Sequence, residues 1–325
     1  MSWSAAGDPE LDNLSAAGVV PLAAVHRSRM RESIHLGAAA VVGPDGEVVR
    51  ALGDIDALIY PRSTLKFLQA ITVLRSGVDL DGPELVLAAA SHTGTAAHVE
   101  VVRSILHRAG LDESALQCPA DWPSDPNSRD EASGPARITM NCSGKHAAFL
   151  LACVRNGWPI DSYLAARHPL QLIVQRTVED YTGEPVDHTG IDGCGAPLHA
   201  VSLRGLARAT GLVARGADAD AERLSRAIRR DPWALDSPAV ASVMSELGLI
   251  AKNGAEGVFV AGSPDGTAVA LKIIDGSTRA SIPVALALLE EQGIVDSERA
   301  TSVLAATTQP VLGGGEPVGE LIALV

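Results

Sequence analysis

The amino-acid sequence predicts an α/β fold of the α+β type, in which strands from both ends of the chain form one antiparallel sheet around a helical middle. Three observations predict it. Short β-rich runs broken by turns fill about residues 19–60, apolar residues at helical spacing dominate about 61–255, and strand-like runs return in about 256–325. We therefore expect one discontinuous catalytic domain over 1–325 rather than two consecutive domains.

Three strands are predicted near the start of the chain, at Val20–His26, Ser33–Val42 and Glu47–Leu52. The turn Gly43-Pro44-Asp45-Gly46 separates the second from the third, because proline presets φ and glycine accepts a positive φ. The run Gly37–Val42 is apolar throughout, which indicates a strand covered on both faces.

The middle of the chain is predicted to be mainly helical. Ser63–Ser76 carries apolar residues at helical spacing just after Pro61. Further helices are predicted at Pro83–Ala90, Ala97–Ala109, Lys145–Asn156, Leu164–Thr182, Leu203–Gly211 and Asp218–Asp231. Cys118–Arg137 is rich in proline, aspartate and serine and is predicted to be a long ordered loop. Near the end, two strands, Glu256–Ala261 and Thr267–Ile274, and a helix, Thr278–Glu291, are predicted.

Composition narrows the functional class. The chain has 325 residues, 46% of them hydrophobic, and 26 basic against 39 acidic side chains give a net charge of −13. This charge disfavours nucleic acids and anionic membranes as partners. Four cysteines are too few for a disulfide scaffold, and the acidic stretch Met1–Leu14 is no signal peptide. We expect a cytoplasmic protein that acts on a small polar molecule.

The first candidate for chemistry is Ser63-Thr64-Leu65-Lys66. Residues three apart share a helix face, so a lysine amine could take the proton of the serine hydroxyl and create a nucleophile. The alternative is that these four residues form only the solvent-exposed start of a helix. Ser91-His92-Thr93-Gly94 is a second candidate, a tight turn that could place the hydroxyl in a cleft. There the alternative is a helix C-terminus that Gly94 caps.

Two cysteines lie in glycine-bearing turns. Cys142 stands in Asn141-Cys142-Ser143-Gly144-Lys145-His146, at the start of an apolar helix, and Cys194 lies among three glycines in Gly190–Pro197. Two thiolates from separate loops could hold Zn²⁺ if another ligand joins them. Two buried structural cysteines remain the alternative, since free cysteine is commonly buried. Cys118 and Cys153 do not lie in glycine-bearing turns and are not expected to bind a metal.

Taken together, these blocks resemble the Rhizobium etli-type L-asparaginases. The similarity runs in order through Tyr60–Lys66, Ala90–Gly94, Asn141–His146, Asp192–Gly195 and Leu271–Gly276, and it covers the chain from about Val19 to its end. The resemblance implies a scaffold similar to serine β-lactamases and glutaminases, hydrolysis of L-asparagine to aspartate and ammonia, and a homodimer. Thr95 departs from the family pattern, which has an acidic residue there.

The resemblance also implies roles for individual residues. It pairs Ser63 with Lys66 and Ser91 with Lys272 as two catalytic Ser-Lys tandems, in which two nearby ammonium groups would repel each other. It implies a Zn²⁺ site at Cys142, Lys145 and Cys194, with Asp192 nearby through water. The residues expected to bind substrate are Arg62, Asn141 and Asp192.

These considerations lead to the hypothesis of a zinc-containing serine amidohydrolase that acts on L-asparagine, with Ser63 as nucleophile and Lys66 as its base. Which serine acts as the first nucleophile stays open at this point. A glutaminase or a β-lactamase-like serine hydrolase of the same scaffold is the nearest alternative. A non-catalytic protein that binds amino acids or zinc is a more distant one, because such a binder would need neither tandem.

Overall fold

A computed structural model describes residues 13–325. Most of the acidic N-terminal stretch considered above, residues 1–12, lies outside the described residues. The N-terminal strands are β1 Val20–Arg27, β2 Met30–Val42 and β3 Val48–Leu52. Six helices follow: α1 Lys66–Arg75, α2 Gly82–Ala88, α3 Ala96–Arg108, α4 Pro126–Glu131, α5 Ser143–Asn156 and α6 Pro169–Thr182.

A short hairpin, β4 Thr189–Ile191 and β5 Pro197–His199, separates these helices from the second helical group. That group contains α7 Leu203–Ala214, α8 Ala219–Arg230 and α9 Pro238–Leu247. The C-terminal part adds β6 Ile250–Gly254, β7 Val258–Gly262, β8 Ala268–Ile273, α10 Ser281–Glu291, α11 Ser297–Thr307, β9 Val311–Gly313 and β10 Glu316–Ala323.

The main sheet joins the two ends of the chain. Its strand order is β6-β7-β8-β2-β1-β10-β9, with β3 paired to β2, and every pairing is antiparallel. The first and last strands are neighbours, with Ala23 opposite Ala323. The predicted α+β class, with an antiparallel sheet built from N- and C-terminal strands, is confirmed. That the chain forms one discontinuous domain stays a prediction.

Long strand β2 lies at the centre of this sheet. Its residues Gly37–Val42 are all buried, as the apolar run predicted. On one side they pair with β8, and helices α7 and α10 pack against β8. A side chain at Gly37 would lie 2.2 Å from the backbone oxygen of Lys272, so only glycine permits this close approach.

The structure differs from the predictions at strand β6 and at helix α4. Strand β6 follows directly after helix α9 and lies inside the region of about 61–255 that was predicted to be helical. Five residues are too few to show a period in the sequence, so pairing with β7 defines β6 as a strand. Helix α4 lies within the predicted loop Cys118–Arg137, where Asp125 caps it by accepting a hydrogen bond from the backbone N–H of Ser128.

Across residues 13–325, every helix falls short of the length and apolarity that crossing a bilayer requires.

Candidate active site

Ser63 lies in a short 3-10 turn, Arg62–Leu65, that runs directly into α1. Arg62 has a φ of +53°, a left-handed conformation that is costly for a residue with a side chain. Strand β6 packs against this turn, because a Cβ on Gly254 would lie 2.8 Å from the backbone oxygen of Pro61. The packing holds Ser63, which is half-buried, at the edge of the main sheet.

Lys66 begins α1 and is buried. Its Nζ donates hydrogen bonds to the backbone oxygen of Ala90, at 2.6 Å, and to Ser91 Oγ, at 2.9 Å. The sequence-predicted lysine of the first tandem therefore contacts the serine of the second. Lys66 lies one turn after Ser63 along the chain, and the hydrogen bonds of its amine go to the Ser91 loop.

A lysine that the sequence analysis did not select completes this cluster. Lys252 of β6 is fully buried, and its Nζ lies 3.2 Å from Ser91 Oγ and 3.2 Å from Asp236 Oδ2. Asp236 is buried too, so the pair is a buried ion pair. Ser91 Oγ is thus shared by two buried amines.

Lys272 does not reach Ser91. Its Nζ donates to the backbone oxygens of Glu256 and, at 3.0 Å, Ile273. The sheet explains the difference, because Lys272 of β8 lies opposite Val258 of β7, which lies opposite Gly254 of β6. Two strand spacings of about 4.8 Å separate it from the strand that meets Ser91. The predicted Ser91–Lys272 pair is therefore corrected to Ser91–Lys252.

Burial lowers the pKa of Lys252 to about 8, because desolvation penalises the ammonium form. Asp236 opposes this shift through its charge and its hydrogen bond, and the charge of Lys66 adds to it. Lys252 is therefore an amine that changes protonation close to neutral pH. An amine of this kind can exchange protons with the hydroxyl that it contacts.

His92 ties the Ser91 loop to the start of α5. Its backbone N–H donates to the backbone oxygen of Asn141 at 3.1 Å, and its Nε2 lies 2.8 Å from Ser143 Oγ. Ser143 gives its own proton to the backbone oxygen of Ile138, so it accepts from Nε2. Burial lowers the pKa of His92 well below its ordinary value, and the ring is neutral.

Thr95, which departs from the family pattern, has a structural role. It is the N-cap of α3, where its hydroxyl accepts from the backbone N–H of His98 and the His98 ring reaches back to the backbone N–H of Thr95. At this position Thr95 therefore acts as a helix cap.

The predicted metal residues come together in space. Lys145 Nζ lies 3.0 Å from Cys194 Sγ, and Cys142 stands one helical turn earlier, at the start of α5. A hydrogen bond from the Cys142 thiol, helped by the Lys145 charge, lowers the pKa of Cys194. Burial alone would lower the pKa of Lys145, but the charges of Cys194 and Cys142 outweigh it and raise that pKa.

The donor chemistry of this thiol–amine cluster fits Zn²⁺. Between residues 13 and 325, no three histidine, cysteine, aspartate or glutamate side chains are grouped closely enough to hold a metal ion, so a site here would need the amine of Lys145, which would have to release the proton that its raised pKa retains. Zinc prefers sulfur and nitrogen donors in a tetrahedral arrangement. Next along α5, the buried His146 also faces the cluster, because its hydrogen bond to Cys194 helps to lower the pKa of that thiol.

Asp192 connects this cluster to the Ser63 turn. Arg62 Nε donates to Asp192 Oδ1 at 2.9 Å, and Cys194 Sγ lies 3.4 Å from Asp192 Oδ2. Asn141, the third residue predicted to bind substrate, is exposed, and its Oδ1 lies 3.0 Å from Cys142 Sγ. Asp192 therefore joins the turn that carries Ser63 to the thiol–amine cluster.

A count of residue types could have pointed to Lys252. Only four of the 26 basic residues are lysines, namely Lys66, Lys145, Lys252 and Lys272. Lysine shifts its pKa readily when buried, whereas arginine stays charged. In Ile250–Gly254, a lysine in an apolar run followed by glycine is also similar to the Lys-x-Gly strand motif that accompanies Ser-x-x-Lys in serine β-lactamases.

A family model described as L-asparaginase II matches residues 23–323. The chain belongs to the L-asparaginase II family. Membership of the L-asparaginase II family supports amide hydrolysis as the reaction class, and the shared hydroxyl of Ser91 lies at the centre of the residues suited to it. A comparison with curated proteins finds no match.

Several solved structures are similar to this L-asparaginase II family member at low identity. The native form of Mglu is 13% identical with a TM-score of 0.48, over 81% of this chain and 66% of that one. A Bacillus glutaminase is 12% identical with a TM-score of 0.44, over 79% and 91%. A provisionally assigned β-lactamase from Bacteroides dorei is 16% identical with a TM-score of 0.41, over 83% and 93%.

Proposed function

We propose that this protein is an L-asparaginase that hydrolyses the side-chain amide of L-asparagine through a serine nucleophile, Ser63. The observation that carries the proposal is Ser91 Oγ, which lies within hydrogen-bond distance of two buried amines, Lys66 and Lys252. The test measures ammonia release from purified protein with L-asparagine and with L-glutamine, and the colour change of a chromogenic β-lactam. Preferred turnover of glutamine or of the β-lactam would contradict asparagine as the substrate.

In the proposed mechanism, Ser63 Oγ attacks the amide carbon while Lys66 takes the hydroxyl proton. The tetrahedral intermediate then collapses. Ser91 gives its proton to the amide nitrogen and regains one from Lys66, so that ammonia leaves and an ester remains on Ser63. Water attacks this ester with the same groups acting in reverse, and L-aspartate is released. Every proton that Ser63 loses is returned to it in the second half of the cycle.

Lys252 and Asp236 hold the relay in place. Lys252 fixes the position of Ser91 Oγ, and the carboxylate of Asp236 balances the buried charge of Lys252. Ser91 can then accept a proton from one side while it donates to the substrate. Lys252 is for this reason a positioning residue.

The pKa of about 8 for Lys252 predicts a pH dependence. Below pH 8 Lys252 is an ammonium that donates to Ser91 Oγ, as the relay requires, and above pH 8 its free lone pair competes with the substrate for the Ser91 proton. We expect kcat/KM to fall as pH rises through a midpoint near 8. In Asp236→Asn the midpoint should move to lower pH, because Asp236 raises the pKa of Lys252. An unmoved midpoint would assign the titration to another group.

We also propose that Cys142, Lys145 and Cys194 hold one Zn²⁺ per chain. When bound, the ion would orient polar groups of the substrate, since thiolate ligands lower its Lewis acidity. The chain's own residues provide the nucleophile and the proton relay. A homodimer and a cytoplasmic location stay predictions.

The zinc proposal predicts about one Zn²⁺ per chain by metal analysis. Cys142→Ser and Cys194→Ser should each abolish zinc retention, because each removes a thiolate ligand. Cys118→Ser and Cys153→Ser are matched controls, since both are also buried and free, and both should keep the metal. Chelation should raise KM with kcat largely retained. Loss of zinc from the control variants, or an unchanged KM after chelation, would contradict the assignment.

A further inference from the structure

A cavity of about 760 Å³ lies beside the Ser63 turn. Its apolar lining includes Leu14, Leu58 and Ile59. Its charged lining residues are Arg62, Glu256 and Lys272. Arg62 directly precedes Ser63, and Glu256 follows Gly254, whose backbone packs against Pro61. The cavity is therefore lined by the residue that directly precedes the proposed nucleophile in the chain.

Lys272 has an unused hydrogen-bond donor at this cavity. Its ammonium has three N–H groups, and the backbone oxygens of Glu256 and Ile273 accept two of them. Arg62, the other cation of the cavity, already has two acidic neighbours, Asp192 at 2.9 Å and Glu256 at 4.0 Å. Among residues 13–325, Lys272 makes no ion pair, so its charge is available to a carboxylate ligand.

Glu256 offers the opposite charge. Its side chain is 68% exposed, and its carboxylate is 4.0 Å from the Arg62 guanidinium, a distance longer than a hydrogen bond. A φ of +61° fixes its backbone in the turn between β6 and β7, the same turn that Lys272 holds through the Glu256 oxygen. One cation and one anion with spare hydrogen-bonding capacity therefore face a single cavity.

We propose that this cavity binds the zwitterionic head group of an amino-acid substrate, with Lys272 contacting the α-carboxylate and Glu256 the α-ammonium group. The inference rests on the proposed function and deepens it, because it states which chemical groups the substrate must carry besides its amide. The cavity is far larger than a single amino acid. The charges of Lys272 and Glu256, rather than a close fit of the cavity walls, must therefore select the ligand.

The test uses three amides that differ only in the head group: L-asparagine, succinamate, which lacks the ammonium group, and β-alaninamide, which lacks the carboxylate. Lys272→Met should raise KM about tenfold for asparagine and succinamate and leave it unchanged for β-alaninamide, in keeping with loss of a charge-assisted hydrogen bond. Glu256→Gln should raise KM for asparagine and β-alaninamide only. Glu298→Gln, an exposed acid on α11, is the matched control.

Lys272 also holds a turn, so a structural effect must be separated from a binding effect. An equal rise in KM for all three amides in Lys272→Met would mean that the residue only supports the turn, and the inference would be wrong. Lys272→Arg keeps the charge and should keep most of the discrimination between amides.

Calorimetric titration of the wild-type protein with L-aspartate separates this inference from the proposed function. Binding that Lys272→Met and Glu256→Gln each weaken would support the head-group site even if no amide is hydrolysed. Hydrolysis with unchanged discrimination in both variants would keep the proposed function and overturn the site.

Discussion

Ser63→Ala is expected to lower kcat for L-asparagine by roughly a thousandfold or more, because loss of a covalent nucleophile costs about 4 kcal/mol or more of barrier. Ser63 is half-buried and its hydroxyl is a small group, so the melting temperature should stay within a few degrees of wild type. Ammonia release and thermal unfolding measured on the same sample test both statements.

Ser245→Ala is a matched control for this change. Ser245 is exposed on α9, where its hydroxyl donates to the backbone oxygen of Ala241, and its loss should leave kcat unchanged. Retention of more than about a tenth of wild-type kcat in Ser63→Ala would remove Ser63 from the nucleophile role. Ser91 would then be the serine to test for the covalent ester.

Lys252→Met is expected to have the second largest effect, about a hundredfold or more in kcat, because Ser91 Oγ would lose one of the two amines that hold it. The same change leaves Asp236 as a buried, unpaired carboxylate. Breaking a buried ion pair in this way typically costs about 3–5 kcal/mol, so a lower melting temperature should accompany the loss of activity.

The double variant Lys252→Met/Asp236→Asn separates these two effects. It removes the uncompensated charge and should recover most of the lost melting temperature, whereas the relay stays broken and kcat should stay low. Recovery of activity together with stability would mean that Lys252 supports the fold only. Lys66→Met should be about as damaging to kcat as Ser63→Ala, and the combination should be no worse than either alone.

The parts of the fold that the sequence predicted are those with a strong local signal. Val20–His26 was predicted and Val20–Arg27 is observed, because β-rich residues bounded by turns suffice to define a strand. Strand β6 was missed since its five residues show no period. Its identity depends on pairing with β7, a contact between segments that sequence spacing does not reveal.

The candidate site shows the same division. The Ser63–Lys66 pair, which spacing predicted, stays a prediction. The glycine-bearing turns at Cys142 and Cys194 predicted convergence of two loops, and Lys145 of the first loop lies 3.0 Å from Cys194 of the second. The partner of Ser91 was predicted wrongly. The choice between Lys252 and Lys272 depends on the order of strands in the sheet, which local residue patterns do not encode.

The scarcity of lysine has a chemical consequence. Because 22 of the 26 basic side chains are arginines, the described surface offers amine-selective reagents little to react with. Three of the four lysines are buried, and Lys272 is half-buried in the lining of the cavity. A mild acylating reagent should therefore label Lys272 in preference to the other three lysines, and a bound amino acid should protect it. The protein thus provides its own reporter of occupancy, with no engineered residue or attached probe.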